Sequence, residues 1–515
     1  MSGFIHGNIE IYTHFFAVLP KSPQMNPVIF SFLNNFIEPE WKYNPVTRQQ
    51  EKVVGKIWAG KTNDFTQHRF PISLLQTFYT HCGRYNINKE SFAVKVAELY
   101  EPAKATFKLN ESYKLRDYQE DGVNFALENY KNKVPSSLLM MPTGTGKTVT
   151  LLALAARLGL RMGMVVSPGY ISKWLEDYKN YMNVPKERVY VLTGGKAIIK
   201  LFRLAETDDF DYDVILISLA TFLEFMKCYE TNPEECMDLY GGTPFEIWMK
   251  SKMGFLGGDE VHERFHNVYI LQTFIHGVFH LGLSATLLHK ERFIEKMQET
   301  IYPRSIRFDK IKLPKYIDYI NMSYRLENIE KDNIKFSFPR RSTYSQAAYE
   351  HSILKNRKVK KNFLEMINNV VEYFYIDKMK PGEKLALYFA RIEMVKTVCD
   401  YLKTKYPHLD IRTYAESDPY ENILEPDIRT TTVGSAGTGI DIKNLITVIS
   451  FVNMESHQAV IQLTGRLRDL GETPTTFVQL YGSNVKKHVQ YKNANDILLR
   501  DRVKSQSNIH YPTSL

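Results

Sequence analysis

Cysteine is scarce in this chain: four residues in 515, Cys82, Cys228, Cys236 and Cys399, with no C-x-x-C pair among them. No zinc site or disulfide framework follows from such spacing, and a reducing compartment is expected. Each cysteine reads as a small core residue. Long apolar runs are missing as well. None reaches the roughly 18–20 residues that a membrane helix needs, so no span and no membrane partner are expected. The first residues lack the basic-then-apolar pattern of a signal peptide. A strong charge of one sign is also absent: 66 Lys and Arg stand against 57 Asp and Glu, a net +9. That balance permits a polyanionic partner without demanding one. Apolar (44%) and charged (24%) fractions are those of a soluble globular protein. The length exceeds one hydrophobic core, and three domains are expected.

What is present centres on Ser136–Thr148, SSLLMMPTGTGKT. An apolar run ends in a small flexible loop, and a helix-like run from Val149 to Leu158 follows. Pro142, Thr143, Gly144, Thr145 and Gly146 would form a loop whose backbone N–H groups close around phosphate oxygens. The helix N-terminus behind them adds positive potential. Lys147 would reach the β- and γ-phosphates of a bound nucleotide, and Thr148 would hold Mg²⁺. Met141 stands where such loops usually begin with glycine. The second anchor is Asp259–Glu260 in FLGGDEVH. A strand-end Asp supports Mg²⁺, and the adjacent Glu can activate water. Beyond it, Leu281–Gly282–Leu283 runs into Ser284–Ala285–Thr286, small hydroxyl residues that could couple the nucleotide site to movement.

Residues 1–108 carry no nucleotide motif but many aromatics: Phe15, Phe16, Phe30, Phe32, Phe36, Trp41, Tyr43 and Trp58. They read as a small aromatic core or, alternatively, as exposed rings for base stacking. Short strands are expected around Trp41–Pro45 and Gly55–Trp58, and a helix over Pro71–Tyr85 ending near Gly83. Leu115–Gln119 opens the next region. There Gln119 could read an adenine edge, because its amide both donates and accepts; the other reading is a plain surface helix start. Strands at Met164–Val166, Val189–Leu192 and Val214–Ile217 run into Ser167–Pro168–Gly169, Gly194–Gly195 and Ser218–Thr221. In an open α/β sheet such positions lie at the carboxyl edge and suit phosphate contacts along a nucleic-acid strand. Trp174 reads as core. A polar insertion, Met226–Met253, suggests no chemistry.

Residues from about 305 to 362 read as a connection of strands and loops. Their basic stretches, Arg340–Arg341 and Lys355–Lys361, read first as a solvated face and second as a phosphate contact. A second α/β pattern follows. It has an amphipathic helix over Phe363–Phe374 and strands at Leu385–Phe389, Ile428–Val433, Val448–Phe451 and Phe477–Leu480. It offers a glycine-rich turn at 434–441 with Asp441, and a helix holding Gln462, Gly465, Arg466 and Arg468. It has no phosphate loop, which suits a second lobe that closes over the first lobe's nucleotide. The segment from Lys486 reads as a basic, polar tail.

The ordered motifs resemble those of the superfamily 2 helicases over roughly Leu115–Tyr481. Leu115–Gln119 is similar to the Q-motif, Met141–Thr148 to motif I and Ser167–Gly169 to motif Ia. Gly194–Gly195 and Thr221 resemble the next nucleic-acid motifs. Asp259–His262 resembles motif II of the DExH type, and Ser284–Thr286 motif III. Leu385–Arg391 resembles motif IV, Thr432–Asp441 motif V and Gln462–Arg468 motif VI. The resemblance implies an α/β fold of two tandem RecA-like parallel-sheet lobes with a small N-terminal α+β domain. The boundaries expected are 1–108, 109–305 and 306–515. It implies ATP and Mg²⁺ bound between the lobes, with Lys147, Asp259, Glu260, Arg466 and Arg468 catalytic. Gln119, Gly439 and Asp441 would join the phosphate loop in holding the nucleotide. Ser167, Pro168, Gly169, Gly194, Gly195, Thr221, Arg391 and Thr432 would contact nucleic acid.

Within the superfamily the chain looks most like UvsW-type phage helicases, which remodel branched DNA in recombination, repair and replication restart. Tyr43–Asn44–Pro45, Gly55–Lys56–Ile57, the Pro71–Tyr85 helix and Gly439–Leu445 carry that likeness. It implies branched or single-stranded DNA as partner, with RNA second, a monomer or weak oligomer, and the cytoplasm of a bacterial host as location. One departure stands in motif VI, usually Q-x-x-G-R-x-x-R. Asp469 takes the second arginine's place and Arg468 falls one residue early, a rotation of about 100° on a helix. Two other readings stay open: an RNA-directed DExH motor or transcript-release factor, and an ATP-gated clamp without net motion. A restriction-system motor subunit ranks behind these, since no nuclease-like cluster of acidic and lysine residues stands out.

Overall fold

The computed structural model describes residues 5–44, 47, 49–57, 61–63, 67–142, 144–207, 209–262, 265–285, 287, 292–309, 311, 315–338, 343–415, 418–435, 442–454, 456–500 and 502–515. For 38–44, 50–57, 61–63 and 458 only the backbone is described. The chain falls into two compact units. The first holds Met1–Met141 and Thr145–Ile311, and the second holds Pro142–Gly144 and Lys312–Leu515.

The first unit begins with a five-stranded sheet, in the order Lys61–Asn63, Gln67–Pro71, Phe15–Pro20, Gly7–Ile11 and Phe92–Val96. Helices Met25–Asn34 and Leu75–Gly83 supply Phe32 and Phe78, which pack with Phe16 and Phe70. Their rings meet edge-on or stacked, with centroids 5.2 Å apart for Phe32–Phe70 and for Phe32–Phe78. The aromatic-core reading thus holds for Phe15, Phe16, Phe32 and Phe36, all buried, while Phe30 is partly exposed. Ile37–Asn44 and Gln49–Ile57 pair as an antiparallel hairpin. Trp58 and the side chains of Trp41 and Tyr43 lie outside the described residues.

The larger part of this unit is built on a seven-stranded parallel sheet. Its order is Val189–Leu192, Val214–Ser218, Met162–Val166, Phe255–Gly258, Phe279–Ser284, Ser136–Met140 and Arg307–Phe308. Its inner strands are buried on both faces, as near-continuous apolar runs require. The insertion Met226–Met253 is not a polar excursion. Its residues belong to helices Leu219–Thr231, Pro233–Tyr240 and Glu246–Lys250, which bury Met226, Cys236, Ile247 and Trp248. The N-terminal sheet docks against it: Arg69, 2% exposed, lies 2.7 Å from the Glu230 carboxylate and 4.2 Å from the centre of the Phe274 ring. His14 Nε2 is also 2.8 Å from the Val278 carbonyl oxygen.

The second unit is another seven-stranded parallel sheet, in the order Ile411–Tyr414, Ile428–Thr432, Lys384–Phe389, Leu445–Ser450, Thr475–Gly482, Ile317–Tyr324 and Ser505–His510. The two sheets with the small N-terminal α+β region give the expected fold class. Two expectations are corrected. The stretch read as a connection supplies Ile317–Tyr324, an inner strand, and helices Gln346–Lys355 and Arg357–Val371. The strand interleaves Asp318, Asn321 and Ser323 with its apolar residues, so no unbroken run announces it. The supposed tail forms helix Lys486–Leu499 and the edge strand Ser505–His510, whose largely exposed polar residues give no strand signal. The basic run opens helix Arg357–Val371, with Lys358 exposed and 3.0 Å from Glu327, which fits the solvated-face reading. Arg340 and Arg341 lie outside the described residues. Among the described residues no helix is long and apolar enough to cross a membrane.

Candidate nucleotide and nucleic-acid site

At the carboxyl end of strand Ser136–Met140 the chain turns through the loop into helix Lys147–Leu158. Gly144 (φ +86°) and Gly146 (φ +80°) take left-handed backbone conformations that L side chains rarely adopt. Gly146 caps the helix, leaving the first helical N–H groups without helical partners. Met141 is fully buried, and its N–H donates to the Ser284 carbonyl at 2.9 Å. The residue that replaces the usual glycine is therefore a core residue joining the loop to the Phe279–Ser284 strand. Thr148 stands in the first helical turn. Thr143 lies outside the described residues.

Gln119 is brought to the loop by helix Asp117–Lys131, but its amide faces protein. It is 6% exposed. Its Nε2 donates to the Thr145 carbonyl at 2.8 Å, and its Oε1 accepts from the Arg116 N–H at 2.9 Å. Tyr118, which the sequence did not single out, adds a bond to the same Thr145 carbonyl at 3.2 Å. The described position makes Gln119 a brace of the phosphate loop.

Lys147 Nζ lies 2.6 Å from Glu260 Oε1, both side chains largely buried. Glu260 has φ +45°, a left-handed conformation that costs a non-glycine residue about 1–2 kcal/mol. The turn is pinned by the next residue, since Val261 N–H donates to the Leu283 carbonyl at 3.0 Å. His262 Nδ1 is 3.3 Å from Glu260 Oε2 and 2.8 Å from Ser284 Oγ. Burial alone would raise the Glu260 carboxyl, but Lys147 and then His262 outweigh it and hold it below the ordinary carboxylate range. Asp259 goes the other way: burial, then the Glu260 charge, raises it. The chain Lys147–Glu260–His262–Ser284 crosses three adjacent strand ends. The sequence marks its first two members only; Ser284 carried a vaguer expectation and His262 none beyond the motif.

A hydroxyl at Thr148 and a carboxylate at Asp259 are hard oxygen donors of the kind Mg²⁺ takes. Two carboxylates crowded by burial also favour a cation beside them. These residues fit the ion, although among the described residues no three His, Cys, Asp or Glu side chains form a metal cluster of their own.

The candidate nucleic-acid residues also lie at strand ends. Ser167 precedes the short turn Pro168–Tyr170, where Pro168 and Gly169 are exposed. Gly194 N–H donates to Thr221 Oγ1 at 2.8 Å, so these two residues of neighbouring strand ends are joined, and Gly195 opens helix Gly195–Glu206. In the second unit, Phe389 and Thr432 are paired across neighbouring strands, which brings Arg391 and Thr432 to one edge. Thr432 Oγ1 and Ser435 Oγ are 2.7 Å apart. Thr286, Gly439 and Asp441 lie outside the described residues. Helix His457–Thr464 stops at Gly465, so Arg466 and Arg468 stand beyond it on a turn. The 100° argument about a continuing helix does not apply here. Arg466 is 3% exposed and close enough to Tyr388 to influence its phenol. Arg468 is half-buried, and its guanidinium donates to the Gly465 carbonyl.

Residues 112–289 match the family model described as type III restriction enzyme, res subunit. The matched span holds Gln119, the phosphate loop, Asp259–Glu260 and Ser284. No curated protein matches the sequence. Among solved structures, the chain is similar to Saccharomyces cerevisiae Dbp5 bound to RNA and ADP BeF3, at 12% identity and TM-score 0.49, over 77% of this chain and 90% of that one. A Dbp5 variant from the same yeast, bound to a Gle1 variant and IP6, gives 12% identity and TM-score 0.46, over 80% and 96%. The family match covers about a third of the chain, a parallel-sheet lobe that carries this loop and this acidic pair.

Proposed function

We propose that this chain is an ATP-driven DNA translocase that remodels branched DNA, as in fork reversal or junction migration during recombination and repair. The observation that carries the ATPase reading is the 2.6 Å pair between Lys147 and Glu260 at the mouth of the phosphate loop. ATP entering the loop draws Lys147 to its β- and γ-phosphates. That releases the Glu260 carboxylate, whose low proton affinity suits it to orient and polarise the attacking water. Thr148 and Asp259 would hold Mg²⁺, which would supply charge neutralisation at the phosphates. His262 and Ser284 report the state of Glu260 to the strand that follows. Arg466, with Arg468, stabilises charge on the γ-phosphoryl, and Asp441 accepts from the ribose hydroxyls. Strand contacts through Ser167–Gly169, Gly194–Gly195, Thr221, Arg391 and Thr432 go mostly to phosphate, giving little sequence preference and steep salt dependence.

The branched-DNA part rests on the UvsW-type likeness of the N-terminal segments. The docking of that small sheet on the first lobe supports it, since a domain fixed to the motor is suited to hold one arm of a junction. ATPase and unwinding measured side by side on forks, four-way junctions, plain duplex, single-stranded DNA and single-stranded RNA test the proposal. The expected order puts forks and junctions first. Stronger stimulation by RNA would replace this reading with an RNA-directed motor, and tight binding without stimulated hydrolysis would replace it with a clamp.

A further inference from the structure

Helix Gln346–Lys355 carries a buried carboxylate to which the helicase motifs assign nothing. Glu350 is 1% exposed. Its Oε1 accepts from the Ala390 N–H at 2.8 Å and its Oε2 from the Arg391 N–H at 2.8 Å. Ala390 also lies 3.0 Å from Oε2, and Gln346 Nε2 is 3.2 Å from Oε1. Ala390 and Arg391 link strand Lys384–Phe389 to helix Ile392–Lys405, and Arg391 is that helix's N-cap with no cap from its own side chain. Glu350 therefore holds the backbone at the start of the helix from outside, where the helix dipole favours its ionised form; burial pushes the carboxyl up to about 7, against the pull of the Ala390 and Arg391 N–H groups.

The brace extends further. Gln346 Nε2 donates to the Phe451 carbonyl at 2.9 Å, and Gln346 Oε1 accepts from the Asn453 N–H at 3.1 Å and the Tyr344 hydroxyl at 2.6 Å. The Tyr344 hydroxyl is 2.6 Å from His488 Nε2, and Gly482 N–H donates to His488 Nδ1 at 3.0 Å. Glu350, Gln346, Tyr344 and His488 thus tie together the carboxyl ends of three neighbouring strands, Lys384–Phe389, Leu445–Ser450 and Thr475–Gly482.

We infer that Glu350 is a positioning residue for nucleic-acid binding: its grip on the Ala390 and Arg391 N–H groups sets the direction in which Arg391 meets a backbone phosphate. The inference rests on the proposed role of Arg391. A fold-only role would need a carboxylate at that point no more than any other buried polar group would. Here each oxygen accepts from a backbone N–H of the turn that carries Arg391, whose guanidinium lies 3.5 Å from Glu393 on the following helix.

Glu350→Gln separates the two. It keeps volume and one acceptor oxygen but turns an amide N–H₂ toward a backbone N–H, so one charge-assisted bond is lost. ATPase is titrated with a single-stranded oligonucleotide in the full chain. The expected result is an activation constant about tenfold weaker, with turnover at saturating oligonucleotide within about twofold of wild type. Arg391→Ala should weaken activation as well, and Glu350→Gln placed on Arg391→Ala should add nothing further. Glu350→Asp, which retains the charge, should recover part of the loss. Full additivity of the two changes, or an unchanged activation constant in Glu350→Gln, overturns the inference while leaving the motor reading intact. A wild-type chain that no nucleic acid activates overturns the motor reading, and this inference with it.

Discussion

Lys147 and Glu260 form an ion pair with a nitrogen-to-oxygen distance of 2.6 Å, and each is largely shielded from solvent. In the proposed mechanism, the lysine that reaches phosphate is thus held by the carboxylate that polarises water. Nucleotide has to break this pair, at a cost of about 1.5–3 kcal/mol for a charge-assisted bond. Glu260→Gln should therefore do two things. Hydrolysis should fall by about 10²–10⁴ through loss of the base. ATP affinity should rise about tenfold, because Lys147 is released in advance. A fluorescent-nucleotide titration beside a phosphate-release assay reads both. Weaker nucleotide binding in Glu260→Gln would show that the pair organises the loop instead of competing with phosphate.

Lys147→Ala tests the other partner. It should abolish turnover and weaken ATP binding, while the far-ultraviolet circular dichroism stays that of the wild type. Undiminished hydrolysis would remove the loop from the mechanism.

Sequence and structure agree best where a local pattern has one physical solution. Strand, glycine loop and helix around Lys147 are such a case, since glycine meets the left-handed backbone at 144 and 146 without strain. Asp259–Glu260 at a strand end is another. The pattern fails where partners are remote. Nothing near Gln119 says that its amide will be taken by the carbonyl of Thr145, because that carbonyl's direction depends on the loop conformation. Nothing near Glu350 says that its acceptors will meet N–H groups some forty residues onward. The strands Ile317–Tyr324 and Ser505–His510 escape notice because polar residues interrupt the first and an exposed edge position relieves the second of apolar residues. The end of the motif VI helix was legible in principle: Gly465 is a residue type that stops helices.

The docking of the N-terminal sheet makes a stability prediction. Arg69 is 2% exposed, pairs with Glu230 at 2.7 Å and lies over Phe274. Arg69→Ala removes the guanidinium that pairs with the Glu230 carboxylate and leaves a gap between aromatic rings. A loss of about 3–5 kcal/mol is expected for breaking a buried pair from one side. Arg69→Met, which keeps the packing stem, should lose less. Thermal unfolding with limited proteolysis between residues 97 and 116 reads both effects. Equal stability of all three proteins would mean that the sheet is not held by this contact.

The same interface should be acid-sensitive. His14 is buried between the Val278 carbonyl and Ser136 Oγ, with His276 and His280 as its titratable neighbours. Burial lowers His14 from 6.5 to about 4 and His280 to about 3. The folded state binds these protons more weakly than the unfolded chain does. Their contribution is thus fully present above pH 6.5 and is lost as the pH falls toward 4. For His14 that amounts to roughly 3 kcal/mol by pH 4. Wild type should lose stability between pH 6.5 and 4.5 faster than His14→Gln does. Parallel curves would exclude His14 as the acid-sensitive group.

Motif VI gives the sharpest test of the proposed chemistry. Arg466 and Arg468 stand past the end of helix His457–Thr464, so their directions are set by the Gly465–Arg468 turn and not by a helical repeat. Arg466 is 3% exposed, and its charge acts on the buried Tyr388 phenol. Arg468 is half-buried and donates to the Gly465 and Leu467 carbonyls of its own turn. A fixed guanidinium serves a transition state better than one that must be ordered first, since its orientation is settled before charge develops. Arg466→Ala should therefore lower kcat by about 10³, with ATP affinity little changed. Arg466→Lys should not restore it, because a point charge lacks the planar fork. Arg468→Ala should lower kcat by about tenfold, the share of a residue that assists after ATP binds. Single-turnover hydrolysis at saturating oligonucleotide measures all three. If Arg468→Ala is as inactive as Arg466→Ala, both arginines act on the phosphoryl group, and the shift to position 468 has been absorbed by the turn. If Arg466→Ala retains wild-type turnover, the assignment of motif VI to catalysis fails, and the clamp reading gains the ground that the motor loses.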